Sequence, residues 1–341
     1  MVTIHDVAKH AGVSESTVSR VLNRSPHVTD ETRERVLAAV AKLGYTPRSY
    51  ARAMKGKPSN AVALIISDVS NPFFAALTRG VEDFVQEQGY SLLLGNADRG
   101  KAKQRQYVDR VIAAGIGGMI IAPARNTLTD LKRLVRQGVA LVIVDWRYPL
   151  PFADNVYCDS VDGARRLTDH LLSLGHRRIG IISGPHGDAT AEDRVTGYRL
   201  ALGEAGLPQD QSLIRFGQFT SDSGLRNCRR LLRLSSPPTA IVTCNNRLAA
   251  GAYDAIREAG LRVPEDLSMV SFDDVPFVPA LASRMTVLAQ PDYEMGRSAA
   301  RLLLERMRGE RRPKDRQEVV LPGRLVVRSS SAAPARLPTT A

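Results

Sequence analysis

The chain is poor in cysteine, and what it has is not arranged. Cys158, Cys228 and Cys244 are three in 341 residues, widely spaced and without a C-x-x-C pair. That excludes a disulfide framework and a cysteine-based zinc site, and it suits a reducing compartment. The six histidines, at 5, 10, 27, 170, 176 and 186, show no metal-ligand spacing, so no metal is expected. Catalytic signatures are missing too: there is no G-x-G-x-x-G, G-x-x-x-x-G-K-[ST], H-E-x-x-H or G-x-S-x-G. Neither enzymatic activity nor a cofactor is therefore expected. No apolar run reaches membrane-spanning length, and the amino terminus has no charged-then-apolar segment of the secretory kind. The expected location is the cytoplasm, with no membrane partner.

What is present begins at the amino terminus. Ile4, Val7, Ala8 and Ala11 recur at i, i+3, i+4 and i+7, giving a first helix one apolar stripe. Gly12 supplies a turn, and Ser14 can cap a second helix, whose inner face is Val18, Val21 and Leu22. The outer face keeps Glu15, Ser16, Thr17, Ser19 and Arg20, short or basic side chains that can reach base edges and phosphates. A plain helical hairpin with a solvated outer face is the other reading of these residues alone. A third helix opens at Thr29-Asp30-Glu31, carries Val36, Leu37, Val40 and Leu43 as its apolar face, and ends at Gly44. Residues 1–57 hold ten Lys/Arg against five acids in a chain of net charge +12, a balance that favours polyanions through counterion release.

Residues 46–58 form a basic link without an acid, bracketed by Pro47 and Pro58; Ser49 to Lys55 could make about two helical turns. From Ala61 the pattern changes to short apolar runs alternating with helices, the signature of parallel α/β sheets. Strands are expected at Ala61–Ser67, Tyr90–Leu94, Gly118–Ala122, Ala140–Val144, Arg178–Ser183, Ala240–Cys244 and Leu267–Phe272. Val62-to-Leu94 and Ile179-to-Phe216 echo each other as strand, loop, helix, Gly, strand. Two such lobes would enclose a cleft beyond the carboxyl ends of their strands. Residues 329–341, rich in Ser, Ala and Pro, are expected to be a disordered tail.

These residues resemble the LacI/GalR family of bacterial transcriptional regulators over positions 1 to about 328. The motifs that carry the likeness are Ile4-His-Asp-Val-Ala-Lys-His-Ala-Gly-Val-Ser14, Thr17-Val-Ser-Arg-Val-Leu-Asn23, Leu43-Gly-Tyr-Thr-Pro47 and Ala51-Arg-Ala-Met-Lys55. Asn71-Pro-Phe-Phe74, Gly175-His-Arg-Arg-Ile179 and Ser271-Phe-Asp-Asp274 extend it along the chain. The resemblance implies an all-α helix-turn-helix head over residues 1–45 and a hinge helix or linker over 46–59. It implies a two-lobed core over 60–328, like the periplasmic binding proteins, with parallel sheets. Lobe 1 would take about 60–158 and 290–319, and lobe 2 about 159–289 and 320–328. It also implies a homodimer on double-stranded operator DNA, acting as a repressor under small-molecule control.

Carried over position by position, Glu15, Ser16 and Arg20 fall where the family reads base edges, and Thr17, Ser19 and Asn23 where it contacts phosphates. Met54 stands where the family usually places a leucine wedge in the minor groove, flanked by Ala51 and Lys55. The effector would lie between the lobes. A sugar needs aromatic faces and buried, fully paired polar groups. Phe73, Phe74 and Phe219 can supply the first, and Asn71, Asp145, Arg194, Asn245, Asp273 and Gln290 the second. All nine match pocket positions of ribose-type binding proteins. Trp146 sits where those pockets often carry Arg, which puts ribose itself in doubt, and Asn246, where many relatives have Asp, also alters the strand-end chemistry. Another sugar or a planar ligand such as a purine stays open, as does a non-regulatory sugar-binding protein.

Overall fold

The computed structural model describes residues 2–22, 25, 27–45, 59–148, 150–310 and 315–334. The chain divides into two compact units, Met1–Ser59 and Asn60–Ala341. Asn23 and the whole of 46–58, with Ala51, Met54 and Lys55, lie outside the described residues.

The first unit is three helices: α1 (Ile4–Ala11), α2 (Glu15–Leu22) and α3 (Asp30–Leu43). Thr3 and Asp6 form a reciprocal capping box at the start of α1, which satisfies two backbone donors that the helix cannot. Gly12 ends α1 at φ 63°, a left-handed conformation that costs glycine little. The Ser14 hydroxyl then accepts from Thr17 N at 3.2 Å, capping α2. Val7, Ala8, Ala11, Val18, Val21, Val36 and Ala39 make the common core. One expected core residue is misplaced: Leu37 is 48% exposed, and the buried stripe of α3 runs through Val36 and Ala39 instead. At about 100° per residue, Leu37 is rotated off the face that Val36 defines.

The second unit contains two six-stranded sheets. The strands of the first are β1 (Ala61–Ile66), β2 (Ser91–Asn96), β3 (Gly118–Ile121), β4 (Ala140–Val144), β5 (Asp154–Cys158) and β11 (Glu318–Leu321), in the order β11-β5-β4-β3-β1-β2, all parallel. The second holds β6 (Ile179–Ser183), β7 (Ile214–Phe216), β8 (Ala240–Thr243), β9 (Ser268–Phe272), β10 (Thr286–Ala289) and β12 (Arg324–Val326). Its order is β12-β10-β9-β8-β6-β7, with β12 antiparallel to β10. The first five strands of each sheet follow one topology, so the echo in the sequence is a doubled fold. Helices cover both faces of each sheet, which is why β1 and β4 read as continuous apolar runs.

The chain passes between the lobes three times: after β5, after β10, and between β11 and β12. Helix Asp292–Met307 returns to pack against the first sheet, and Gly296 lets it touch helix Pro72–Glu87, because a Cβ there would lie 2.2 Å from Leu77 O. Val320 and Leu321 belong to β11 in lobe 1, two residues past the expected boundary.

The segment after β12 corrects a second expectation. Ser330 is buried, its backbone carbonyl accepts from Met269 N at 2.8 Å, and its hydroxyl donates to Met269 O at 2.6 Å. Ala332 pairs with the Ser268 hydroxyl, and its carbonyl lies 2.9 Å from His176 Nε2. Residues 329–334 are thus stitched to lobe 2 by polar pairs that composition cannot reveal, and 335–341 lie outside the described residues.

Candidate functional site

Two surfaces carry the expected chemistry. On the head, Glu15, Ser16 and Arg20 are exposed on the outer face of α2, and Thr17 and Ser19 are half-buried beside them. The Ser14 hydroxyl reaches Ser16 and Thr17 at 2.8 and 2.9 Å. Glu15 Oε1 lies 3.0 Å from His5 Nδ1, so α1 steers the first side chain of the second helix. The inner face of α2 is spent on Val18 and Val21, which fixes the direction of the outer one.

In the core, the carboxyl ends of the strands converge on a narrow cavity between the lobes. Lobe 1 contributes Asn71, Phe73 and Phe74 from the start of helix Pro72–Glu87, and Asp145 from the end of β4. Lobe 2 contributes Arg194 from helix Ala189–Glu204, Phe219 from the loop before helix Ser221–Leu232, Asn245 from the loop after β8 and Asp273 from the end of β9. Gln290 enters from the crossover after β10. Nine of the ten residues expected at an effector site therefore line one cavity.

Trp146 does not join them. Asp145 takes a left-handed backbone at φ 69°, and the chain turns there, so the two neighbouring side chains part. Trp146 packs beside Ile143 and lines an adjoining cavity of about 210 Å³. Two lining residues were not foreseen. Arg99, beyond the end of β2, reaches across to Asp188 Oδ2 at 3.3 Å and stacks 4.4 Å over Phe219. Its position past a strand end was the signal that could have found it. Thr190, in the first turn of the helix that carries Arg194, bonds Asp145 O at 3.3 Å and left no such signal.

The cavity is electrostatically charged from within. Loss of water pushes the Asp145 and Asp273 carboxyls up to about 6, against the pull of the Arg194 guanidinium between them. Arg194 is buried, donates to Cys244 O, and lies 3.9 Å over the Phe272 ring. Its Nε has no partner among the described residues. Gln290 Nε2 donates to Asp273 Oδ1 at 2.9 Å, and Asp273, like Asp145, is held at positive φ, here 64°. Preorganised strain of this kind concentrates at ligand sites.

Further contacts hold the lobes together around the cavity. Asn246 Nδ2 donates to Asn71 Oδ1 at 2.9 Å, a bridge across the cleft. Arg247 reaches the Ser70 hydroxyl at 3.0 Å, and Arg147 pairs with Asp193 at 3.0 Å. Among the described residues no helix is long and apolar enough to cross a membrane.

Comparison with known proteins matches the same two units. Residues 3–48 match the family described as bacterial regulatory proteins, lacI family, and residues 168–331 match a periplasmic binding protein-like domain. The chain is 36% identical over 333 residues to the HTH-type transcriptional regulator DegA of Bacillus subtilis (strain 168), covering 97% of this chain and 98% of that one. A solved structure of the transcriptional regulator CelR–cellobiose complex superposes with a TM-score of 0.74 at 32% identity, covering 97% of this chain and 100% of that one. The lac repressor dimer bound to operator and the anti-inducer ONPF superposes at 0.82 with 28% identity, over 97% and 99% of the two chains.

Proposed function

This chain belongs to the lacI family of bacterial regulatory proteins, and from that premise we propose that it is an operator-binding repressor controlled by a sugar held between its lobes. The observation that carries the sugar reading is the lining of the cavity between the lobes. The Phe73, Phe74 and Phe219 rings stand beside Asp145, Arg194, Asn245, Asp273 and Gln290, and Arg194 Nε is left without an acceptor. Sugar C–H faces rest on aromatic rings, and sugar hydroxyls satisfy carboxylates, amides and a guanidinium at once. The cellobiose named in the CelR complex agrees with this class.

A ligand that touches both lobes stabilises their closed arrangement by the difference between its affinities for the closed and open forms. The lac repressor structure is of a dimer bound to operator, and in a homodimer of this chain the proposal is that lobe closure changes the grip of the heads on DNA. The exposed Leu93 and Leu94 on the edge strand β2 support self-association of the core. On the head, Glu15, Ser16 and Arg20 read base edges, while Thr17 and Ser19 contact phosphates. A thermal-shift series of sugars, sugar acids and purines tests the reading. The effector at a hundredfold excess over its dissociation constant adds about 2.7 kcal/mol of stability. A purine that stabilises where no sugar does would replace the sugar reading.

A further inference from the structure

Building on the operator-binding reading above, we propose that His5 sets the base preference of the head by positioning Glu15 to accept from a cytosine amino group. Glu15 is the one acid in α2, whose outer face otherwise carries Ser16, Ser19 and Arg20. Phosphates repel a carboxylate, so an acid on this face costs affinity for DNA in general. Two features offset that cost. Glu15 is the first residue of α2, where the positive end of the helix dipole favours an anion. The second feature is the imidazole of His5 on α1. A carboxylate only accepts, so His5 Nδ1–H donates to Glu15 Oε1 at 3.0 Å across ten residues of sequence.

The neighbouring groups leave this pair to each other. Asp6, the other acid beside the ring, is occupied, because its Oδ2 accepts from Thr3 N at 2.8 Å and from the Thr3 hydroxyl at 2.7 Å. The backbone of the turn holds α2 against α1, with Val13 N donating to Ala8 O at 3.0 Å. Glu15 Oε2 has no hydrogen-bond partner among the described residues. The His5 and Glu15 side chains are 73% and 53% exposed, so a duplex can reach both. In the major groove cytosine presents its N4 amino donor, guanine presents two acceptors, and thymine presents an acceptor and a methyl group. A carboxylate held by one oxygen accepts from cytosine through the other and is repelled by guanine and thymine at the same place. Without the His5 donor the Glu15 side chain turns away from the phosphates into water, and the discrimination goes with it.

The full chain is used to select duplexes from a random pool, and each position of the selected half-site is then varied to all four bases in gel-shift titrations. One position per half-site is expected to favour cytosine by about tenfold over the next base, and Glu15→Ala to abolish that preference. His5→Phe keeps a ring but removes the donor, and should cut the preference to about threefold or less. His5→Asn, whose amide nitrogen stands near the place of Nδ1, should keep most of it. A His5 that served only the fold would lower affinity for all four bases alike and leave their ratio unchanged. A ratio unchanged in His5→Phe, or an equal loss in His5→Asn, overturns the positioning role and leaves operator binding standing. So does a selected operator with no cytosine preference that depends on Glu15. Failure to select any duplex overturns both.

Discussion

Arg194→Met removes the cation that stands between two carboxyls of the cleft while keeping most of the side-chain volume. In the native chain loss of water already holds Asp145 and Asp273 up at about 6, from 3.8, and Arg194 is the largest influence pulling them back. Because the folded pKa lies above the unfolded one, each carboxyl costs folding stability. The cost is absent below about 3.8 and complete above about 6. Without Arg194 both pKa values rise further, so the cost continues to build above pH 6. Leaving a buried charge uncompensated is worth about 3–5 kcal/mol. For a domain of this size each kcal/mol moves the melting temperature by roughly 2–4 °C, so a loss of at least about 6–12 °C is expected at pH 8. At pH 5 both carboxyls are largely protonated in either protein. The deficit should then shrink by half or more, to what the lost bond to Cys244 O and the stacking on Phe272 contribute. Differential scanning calorimetry of the two proteins at pH 8 and pH 5 reads this directly. An equal deficit at both values, or none at pH 8, refutes the electrostatic account of the cavity.

Two other substitutions separate the sites. A Cβ on Gly184 would lie 2.2 Å from two atoms of the Phe219 ring, so Gly184→Ala displaces that ring from the cavity. Effector affinity should fall about tenfold or more while operator binding without effector is retained, as measured by calorimetry and gel shift. Arg20→Ala should weaken the specific operator by about 1–3 kcal/mol and relax the base preference at one position, with a much smaller change on random duplexes.

The helical head was legible because its core obeys one period and its turns and caps are the residues they require: Gly12, Ser14 and Gly44. The buried strands β1, β3 and β4 were legible because strands covered on both faces are continuously apolar. β5 was not, because it opens with Asp154 and Asn155, both fully buried. Asp154 is neutralised by Arg306 from a helix some 150 residues away, and Asn155 bonds Trp146 O at 2.6 Å and Tyr148 N at 2.7 Å. Such partners are tertiary and leave no local pattern. The same holds for Ser330, whose partners Met269 and Thr286 come from two strands. At the cleft, sugar chemistry and the family resemblance named ten effector positions, and nine of them line one cavity. Trp146 lines the adjoining cavity instead, because a left-handed residue before it redirects the chain, a feature no side-chain alphabet announces for aspartate.

The central claim is that the cleft and the DNA-reading head are thermodynamically coupled. Effector affinity should be measured by calorimetry on the full chain, alone and then saturated with an operator selected from random duplexes. The two affinities should differ by about 5–150-fold, and operator affinity should change by the same factor when effector is added. Identical effector affinities with and without operator would contradict the account.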